Sequence, residues 1–173
     1  MAVLPYSLEF AYQLLGDVKG KTIVELGFGD ASGKTALTSL GASVITVNVS
    51  DTSKIPVDDF KAHAVLSNAI LSHVDAVSIA RQIRRILKPG GIAVFREPVS
   101  QPFPLAQVDA VSRAVGRPGR FHLGLLLRLL DLADALDSRL VRMAQRLDCC
   151  ILERFPRFRE LAAPMVWEAR KEC

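Results

Sequence analysis

Short runs rich in apolar and β-branched residues alternate along the chain with longer segments in which apolar residues recur every three or four positions. The short runs predict strands at 22–26, 43–49, 63–67, 92–96 and 163–170. The longer segments predict helices at 5–16, 34–40, 74–87 and, with a break near Asp137-Ser138, across 121–153. Two segments that are polar or contain proline predict loops at 51–61 and 98–120. This order of strands and helices predicts an α/β fold whose mostly parallel sheet is covered on both faces.

Length and composition place the chain among single-domain globular proteins. It has 173 residues, of which 50% are hydrophobic and 23% charged, and its formal net charge is only +4, so intrinsic disorder is excluded. The three cysteines, two of them adjacent, form no disulfide framework. No apolar run reaches the length of about eighteen residues that a membrane-spanning helix needs, and the first residues lack a signal-peptide pattern. We therefore predict one cytoplasmic domain over 1–173.

Charge is distributed unevenly between the two halves of this domain. Residues 1–80 hold five lysines, no arginine and eight acidic residues, whereas residues 81–173 hold fifteen arginines, two lysines and ten acidic residues. An arginine-rich half can attract an anionic substrate, an acidic lipid or RNA, or can simply solvate long helices. No nucleic-acid-binding signature and no metal-ligand spacing is found. The sequence therefore favours a small organic or lipid-like partner over nucleic acid.

A glycine-rich turn, Gly27-Phe28-Gly29-Asp30-Ala31-Ser32-Gly33, directly follows the first predicted strand. In a parallel sheet such a turn lies where ligands bind, because its backbone amides can approach an anionic group. A phosphate-binding P-loop would require glycine in place of Phe28, and the dinucleotide fingerprint would require glycine in place of Ser32. Each of these two motifs therefore lacks one required residue.

The segment Glu25-Leu26-Gly27-Phe28-Gly29-Asp30 closely resembles motif I of the class I S-adenosylmethionine-dependent methyltransferases. The resemblance continues in order along the chain, at 41–42, 44–50, 51–60, 64–73, 87–96 and the closing MVWEARK. It implies a Rossmann-like, doubly wound sheet with long C-terminal helices, in which the predicted strands lie in the order 43–49, 22–26, 63–67, 92–96, 163–170. It also implies methyl transfer from S-adenosylmethionine to a small organic or lipid-like acceptor, largely by proximity and alignment.

The resemblance also assigns the binding residues. Glu25 matches the acidic residue suited to the cofactor's ammonium, Gly27 and Gly29 match the turn under its methionine part, and Asp51 matches the adenine contact. The remaining implied cofactor contacts are Phe28, Asn48, Val49, Ser67, Asn68 and Leu71. On the acceptor side it implies Tyr6 and His73, the latter being also the one candidate for catalysis, although an ordinary histidine at a helix start is the alternative interpretation. Residues 1–97 form the implied cofactor half, 98–162 a helical substrate-side cover and 163–170 the last strand.

Three departures from the family pattern are visible in the sequence. Asn48 stands where the family usually has an aspartate or glutamate that binds both ribose hydroxyls, and an amide cannot accept two charge-assisted hydrogen bonds. The family also has a helix and a third strand between the segments that Ser50 and Asp51 resemble, and these segments abut here. No sixth strand is predicted. The chain is thus a shortened relative, and the alternative to an active enzyme is an inactive binding or scaffold module.

Overall fold

A computed structural model of the protein describes residues 6–27, 32–49, 54–97, 104–124, 139–155 and 163–172. The described helices are α1 Tyr6–Leu15, α2 Ser32–Ser39, α3 Ala76–Ile86, α4 Leu105–Val115 and α5 Arg139–Arg154. The described strands are β1 Thr22–Gly27, β2 Ser43–Asn48, β3 Ala62–Asn68, β4 Leu87–Arg96, β5 Arg117–Gly124 and β6 Ala163–Arg170. None of the helices in these ranges is long and apolar enough to cross a membrane.

The strands form one six-stranded sheet in the order β2-β1-β3-β4-β6-β5. The first four strands are parallel, and β6 runs antiparallel to both β4 and β5. The mostly parallel α/β sheet and the order of its five predicted strands are confirmed.

The sixth strand, β5, corrects the prediction of a loop up to residue 120 and a helix from 121. Pro118 and Gly119 give the start of this segment the composition of a turn. β5 lies at the end of the strand order, and a strand with a neighbour on one side only can accommodate a proline. A Cβ at Gly119 would lie 2.3 Å from Cγ of Glu168, so the close approach of β5 and β6 requires glycine there.

Helix α4 corrects the remainder of the loop predicted at 98–120. Its residues Val108, Val111 and Val115 are buried and repeat at helical spacing, and Pro104 stands directly before its first turn. The nearby prolines therefore obscured a helix whose interior contains none. The described part of helix α5 starts at Arg139, and the break predicted near Asp137-Ser138 falls within residues 125–138, which lie outside the described residues.

The core has two halves, one on each face of the sheet, because successive strand residues point to opposite sides. On one face, Ile23, Leu66 and Val94 pack with buried residues of α1, α2 and α5. On the other face, Val24, Val65 and Phe95 pack with buried residues of α3 and α4. Trp167 of β6 is fully buried on this second face, where its ring stacks on that of Phe95 with 5.1 Å between the ring centroids.

A short loop connects β2 to β3, and the described part of it, residues 54–61, contains no strand. Ile55 and Val57 of this loop are buried in the core that faces α3 and α4. The Arg85 guanidinium of α3 donates to the carbonyl oxygens of Ile55 and Val57 at 2.8 and 2.9 Å, and it also binds the Asp59 carboxylate. The loop therefore covers this part of the sheet with two apolar side chains that one arginine holds in place.

Candidate functional site

The carboxyl ends of β1, β2 and β3 lie side by side and bring together five of the residues predicted to bind a cofactor. Gly27 pairs with Asn48 across β1 and β2, and Leu26 pairs with Ser67 across β1 and β3. The N–H of Val49 donates to the Gly27 carbonyl at 3.4 Å. Such an edge is where ligands bind in open α/β sheets. The residues that converge there are Gly27, Asn48, Val49, Ser67 and Asn68.

Gly27 stands at the end of β1 without strain or crowding from the described residues. Its backbone is not in the left-handed region, and among the described residues the atom within 4 Å of a Cβ built there is the Asn68 carbonyl oxygen, at an ordinary 3.8 Å. Neither its conformation nor its described neighbours therefore demand glycine. A bare backbone at this edge suits a ligand that approaches the chain closely.

Glu25 lies two residues before Gly27 and is only 3% exposed. By strand alternation it shares a face with Ile23, which packs against the α1 and α2 side of the core. Acidic side chains are seldom buried unless they are paired or take part in binding. From the sequence this carboxylate is predicted to bind a cationic group, and the structure places it near the carboxyl end of β1.

The neighbouring strand ends present side chains of different accessibility. Asn48 is exposed, whereas Val49 is buried in the core. Ser67 is fully buried, and its hydroxyl makes no hydrogen bond to any described residue. A buried hydroxyl without a protein partner is uncommon, and a bound ligand or water is its usual explanation.

The segment after β3 turns sharply and is held by the end of β4. Asn68 is half-buried, and its Oδ1 accepts a hydrogen bond from Arg96 at 2.8 Å. The Leu71 side chain is buried in the core, and its N–H donates to Oε1 of Glu97 at 3.1 Å. His73 is exposed at the end of the 3-10 turn Leu71–His73. The structure thus places His73 after the carboxyl end of β3, as the last residue of this turn.

Sequence reasoning missed Glu97, which is 1% exposed at the carboxyl end of β4. Burial raises the pKa of its carboxyl to about 7, although the N–H groups of Leu71 and Ile70 and the nearby Arg96 oppose the shift. An acidic residue at the end of a strand with the apolar run 92–95 was the available signal, because that position falls at the binding edge of a parallel sheet.

Several predicted site residues lie outside the described residues, namely Phe28, Gly29 and Asp51. Tyr6 begins α1, but its side chain is also outside them. Within the described part of the chain, no cluster of three histidine, cysteine, aspartate or glutamate side chains could hold a metal ion.

The part of the chain that contains the candidate site matches a known protein family. Residues 15–95 match a protein family described as a methyltransferase domain. No protein of the curated set matches the sequence. The matched segment contains the carboxyl ends of β1, β2 and β3 and almost all of β4, whereas Arg96 and Glu97 at the end of β4 lie just beyond it.

Solved structures share the fold at low sequence identity. The phosphoethanolamine N-methyltransferase 2 of Haemonchus contortus, in complex with S-adenosyl-L-methionine, is 15% identical with a TM-score of 0.63, and the match covers 97% of this chain and 53% of that chain. The [4+2]-cyclase SpnF is 15% identical with a TM-score of 0.63 and coverages of 97% and 80%. The geranyl diphosphate C-methyltransferase of Streptomyces coelicolor A3(2) is 17% identical with a TM-score of 0.59 and coverages of 96% and 77%.

The present chain spans about half the length of the Haemonchus contortus protein that it matches. Its sheet nevertheless contains the same arrangement of central strands that the motif series implied, with Gly27 as the last residue of β1. Its residues 15–95 match the family described as a methyltransferase domain, and the chain shares the fold of the solved methyltransferase structures.

Proposed function

We propose that the protein transfers a methyl group from S-adenosylmethionine to a small organic or lipid-like acceptor. The observation that carries this proposal is the convergence of Gly27, Asn48, Val49, Ser67 and Asn68 at one sheet edge, within the segment that matches the methyltransferase domain. A shared fold alone would not suffice, because one of the structural neighbours is a cyclase.

The residues at this edge fit the chemistry of that cofactor. When bound, S-adenosylmethionine supplies an electrophilic methyl group on a sulfonium centre. The buried Glu25 carboxylate would bind its ammonium group, and the bare backbone at Gly27 would allow its methionine part to lie close to the chain. The exposed Asn48 amide would bind the ribose hydroxyls, and the Ser67 hydroxyl would gain a partner.

A small anionic acceptor is supported by two independent features. Two of the structural neighbours are named for phosphoethanolamine and for geranyl diphosphate, which are small phosphorylated molecules. Residues 98–162, the predicted substrate-side cover, hold ten of the chain's fifteen arginines. Guanidinium groups bind phosphate with two parallel hydrogen bonds, so such a cover suits a phosphorylated acceptor.

The second candidate function is a binding or scaffold module that retains the fold without catalysis. The short connection between β2 and β3 favours it, because the loop at 54–61 provides no strand beside the adenine side of the predicted pocket. Titration calorimetry with S-adenosylhomocysteine tests cofactor binding directly. Absence of heat at millimolar ligand would contradict both the transferase and any module that uses this cofactor, whereas binding without methylation of phosphorylated acceptors would favour the module.

Gly27→Ala tests whether a ligand approaches the end of β1. The described residues leave room for a methyl group there, so we expect the thermal unfolding midpoint to stay within about 2 °C of the original. The same methyl group would occupy space needed by the ligand, so the affinity for S-adenosylhomocysteine should fall at least about tenfold, or 1.4 kcal/mol. An unchanged Kd, measured by calorimetry, would place the cofactor elsewhere.

Asn48→Asp is expected to change the affinity in the opposite direction. A carboxylate at this exposed position could accept charge-assisted hydrogen bonds from both ribose hydroxyls, so we expect an affinity gain of about three- to tenfold. Thr46→Asp is the matched control, because it adds the same charge at an exposed position two residues earlier in β2. Equal effects of the two variants on Kd would show that charge alone, and not ribose recognition, is responsible.

A further inference from the structure

The turn that follows β3 contains a residue in an unfavourable backbone conformation. Ala69 has a φ of 56°, a left-handed backbone conformation that alanine rarely adopts, and its N–H donates to the Arg96 carbonyl at 2.7 Å. Ile70 and Leu71 are then fully buried, and the chain enters the 3-10 turn at Leu71–His73. Such a conformation persists where neighbouring groups hold it, and it is concentrated at functional sites.

Two consecutive residues at the end of β4 hold this turn. The Arg96 guanidinium donates to Oδ1 of Asn68 at 2.8 Å, and Oε1 of Glu97 accepts the N–H of Leu71 at 3.1 Å. With the bond from Ala69 to the Arg96 carbonyl, three hydrogen bonds join 68–71 to Arg96 and Glu97. The segment 68–73 is called the β3 turn below.

The β3 turn adjoins the proposed cofactor site. The Asn68 carbonyl oxygen is the atom nearest to a Cβ built on Gly27, and Ser67, directly before the turn, pairs with Leu26. A shift of the turn would therefore move the neighbours of Gly27 as well. Any group that fixes the turn also fixes one wall of this site.

Glu97 is an unfavourable residue for a purely structural anchor. Its side chain is 1% exposed, and its Oε2 makes no hydrogen bond to any described residue. Burial of a carboxyl with an unsatisfied oxygen destabilises a fold, and a well-packed apolar residue of similar volume is often more stable. Its presence directly at the binding edge therefore indicates a role in function.

We infer that Arg96 and Glu97 are positioning residues of the proposed methyltransferase, which hold the β3 turn against Gly27 so that the cofactor site is formed before ligand binds. The inference rests on the proposed function. Neither side chain is assigned a contact with reacting atoms. They act through the β3 turn, because Arg96 donates a hydrogen bond to Asn68 and Glu97 accepts one from Leu71.

Three variants test the inference by calorimetric titration with S-adenosylhomocysteine. Glu97→Leu removes the acceptor of the Leu71 N–H, whereas Glu97→Gln keeps an acceptor oxygen of the same reach. We expect Kd to rise at least about tenfold in Glu97→Leu and to stay within about threefold of the original in Glu97→Gln. Arg96→Met, which removes the donor to Asn68, should also weaken binding, while Arg113→Met, the same change at an exposed position of α4, should not.

A merely structural role would change the stability and leave Kd alone. Equal Kd values for folded Glu97→Leu and the original protein would therefore overturn the inference. If Glu97→Leu does not fold, unchanged binding by Arg96→Met overturns it in the same way. Amide hydrogen exchange without ligand tests the anchor itself, because Leu71 should exchange at least about tenfold faster in Glu97→Leu. If the original protein binds no S-adenosylhomocysteine, the proposed function fails, and faster exchange at Leu71 would still establish the anchor.

Discussion

Replacing Arg85 with alanine is expected to lower the free energy of unfolding by about 3 kcal/mol. The guanidinium of Arg85 donates to the carbonyl oxygens of Ile55 and Val57, binds the Asp59 carboxylate and donates through Nε to Gln82. It is the residue through which α3 holds the loop between β2 and β3. Removal of the side chain leaves two carbonyl oxygens without this donor, beside side chains that are in the core.

The size of this effect comes from the carbonyl oxygens and not from the ion pair. The Asp59 side chain is 58% exposed, and exposed ion pairs contribute less than about 1 kcal/mol. Hydrogen bonds from a charged donor contribute about 1.5–3 kcal/mol each, and two of them reach the backbone of this loop. Loss of these two bonds would also allow Ile55 and Val57 to leave the core, so the loop should become the least stable part of this face.

Urea unfolding measures the effect, and two variants at neighbouring positions control it. Arg84→Ala removes an exposed arginine from the same turn of α3, so it should cost less than about 0.5 kcal/mol. Arg85→Lys keeps the charge but cannot supply two parallel donors, so its stability should lie between those of Arg85→Ala and the original protein. A loss below about 1 kcal/mol in Arg85→Ala would show that packing of Ile55 and Val57 holds the loop without the arginine.

The strands that form the centre of the sheet could be predicted from sequence because their signal is local. The residues of β1, β3 and β4 that are buried on both faces produce unbroken apolar runs, and the glycine turn follows the first of them. Asn48 was expected at the end of a strand, and the structure pairs it directly with Gly27. That pairing follows from strand order, which the motif series implied.

The features that could not be predicted depend on contacts between distant residues. β5 is identified by its pairing with β6, which lies more than forty residues later in the chain, and not by its own composition. Arg85 resembles any arginine on the polar face of a helix until the loop at 54–60 folds against it. Glu97 was locally visible as an acidic residue after an apolar strand, but its burial depends on the turn that packs over it.

Glu97 should make the protein less stable as pH rises, in the opposite sense to a carboxylate in a salt bridge. Burial raises the pKa of this carboxyl from 4.5 to about 7 in the folded state. Below pH 4.5 the Glu97 carboxyl is protonated in the folded and in the unfolded protein, so it does not lower the free energy of unfolding by ionising. Between pH 4.5 and 7 the unfolded chain releases the proton more readily, so stability falls, by about 3 kcal/mol in total above pH 7.

Glu97→Gln isolates this contribution, because its amide resembles the protonated carboxyl in shape and does not ionise. The free energy of unfolding of Glu97→Gln minus that of the original protein should rise by about 3 kcal/mol between pH 4 and pH 8, measured by urea unfolding at constant ionic strength. His63, whose pKa is lowered by burial and by Lys88 and Lys21, contributes equally to both proteins and cancels. Asp58→Asn removes an exposed negative charge and controls for net charge alone. A difference that stays constant with pH would mean that Glu97 is ionised without penalty in the folded protein, which would require a cationic partner at its second oxygen.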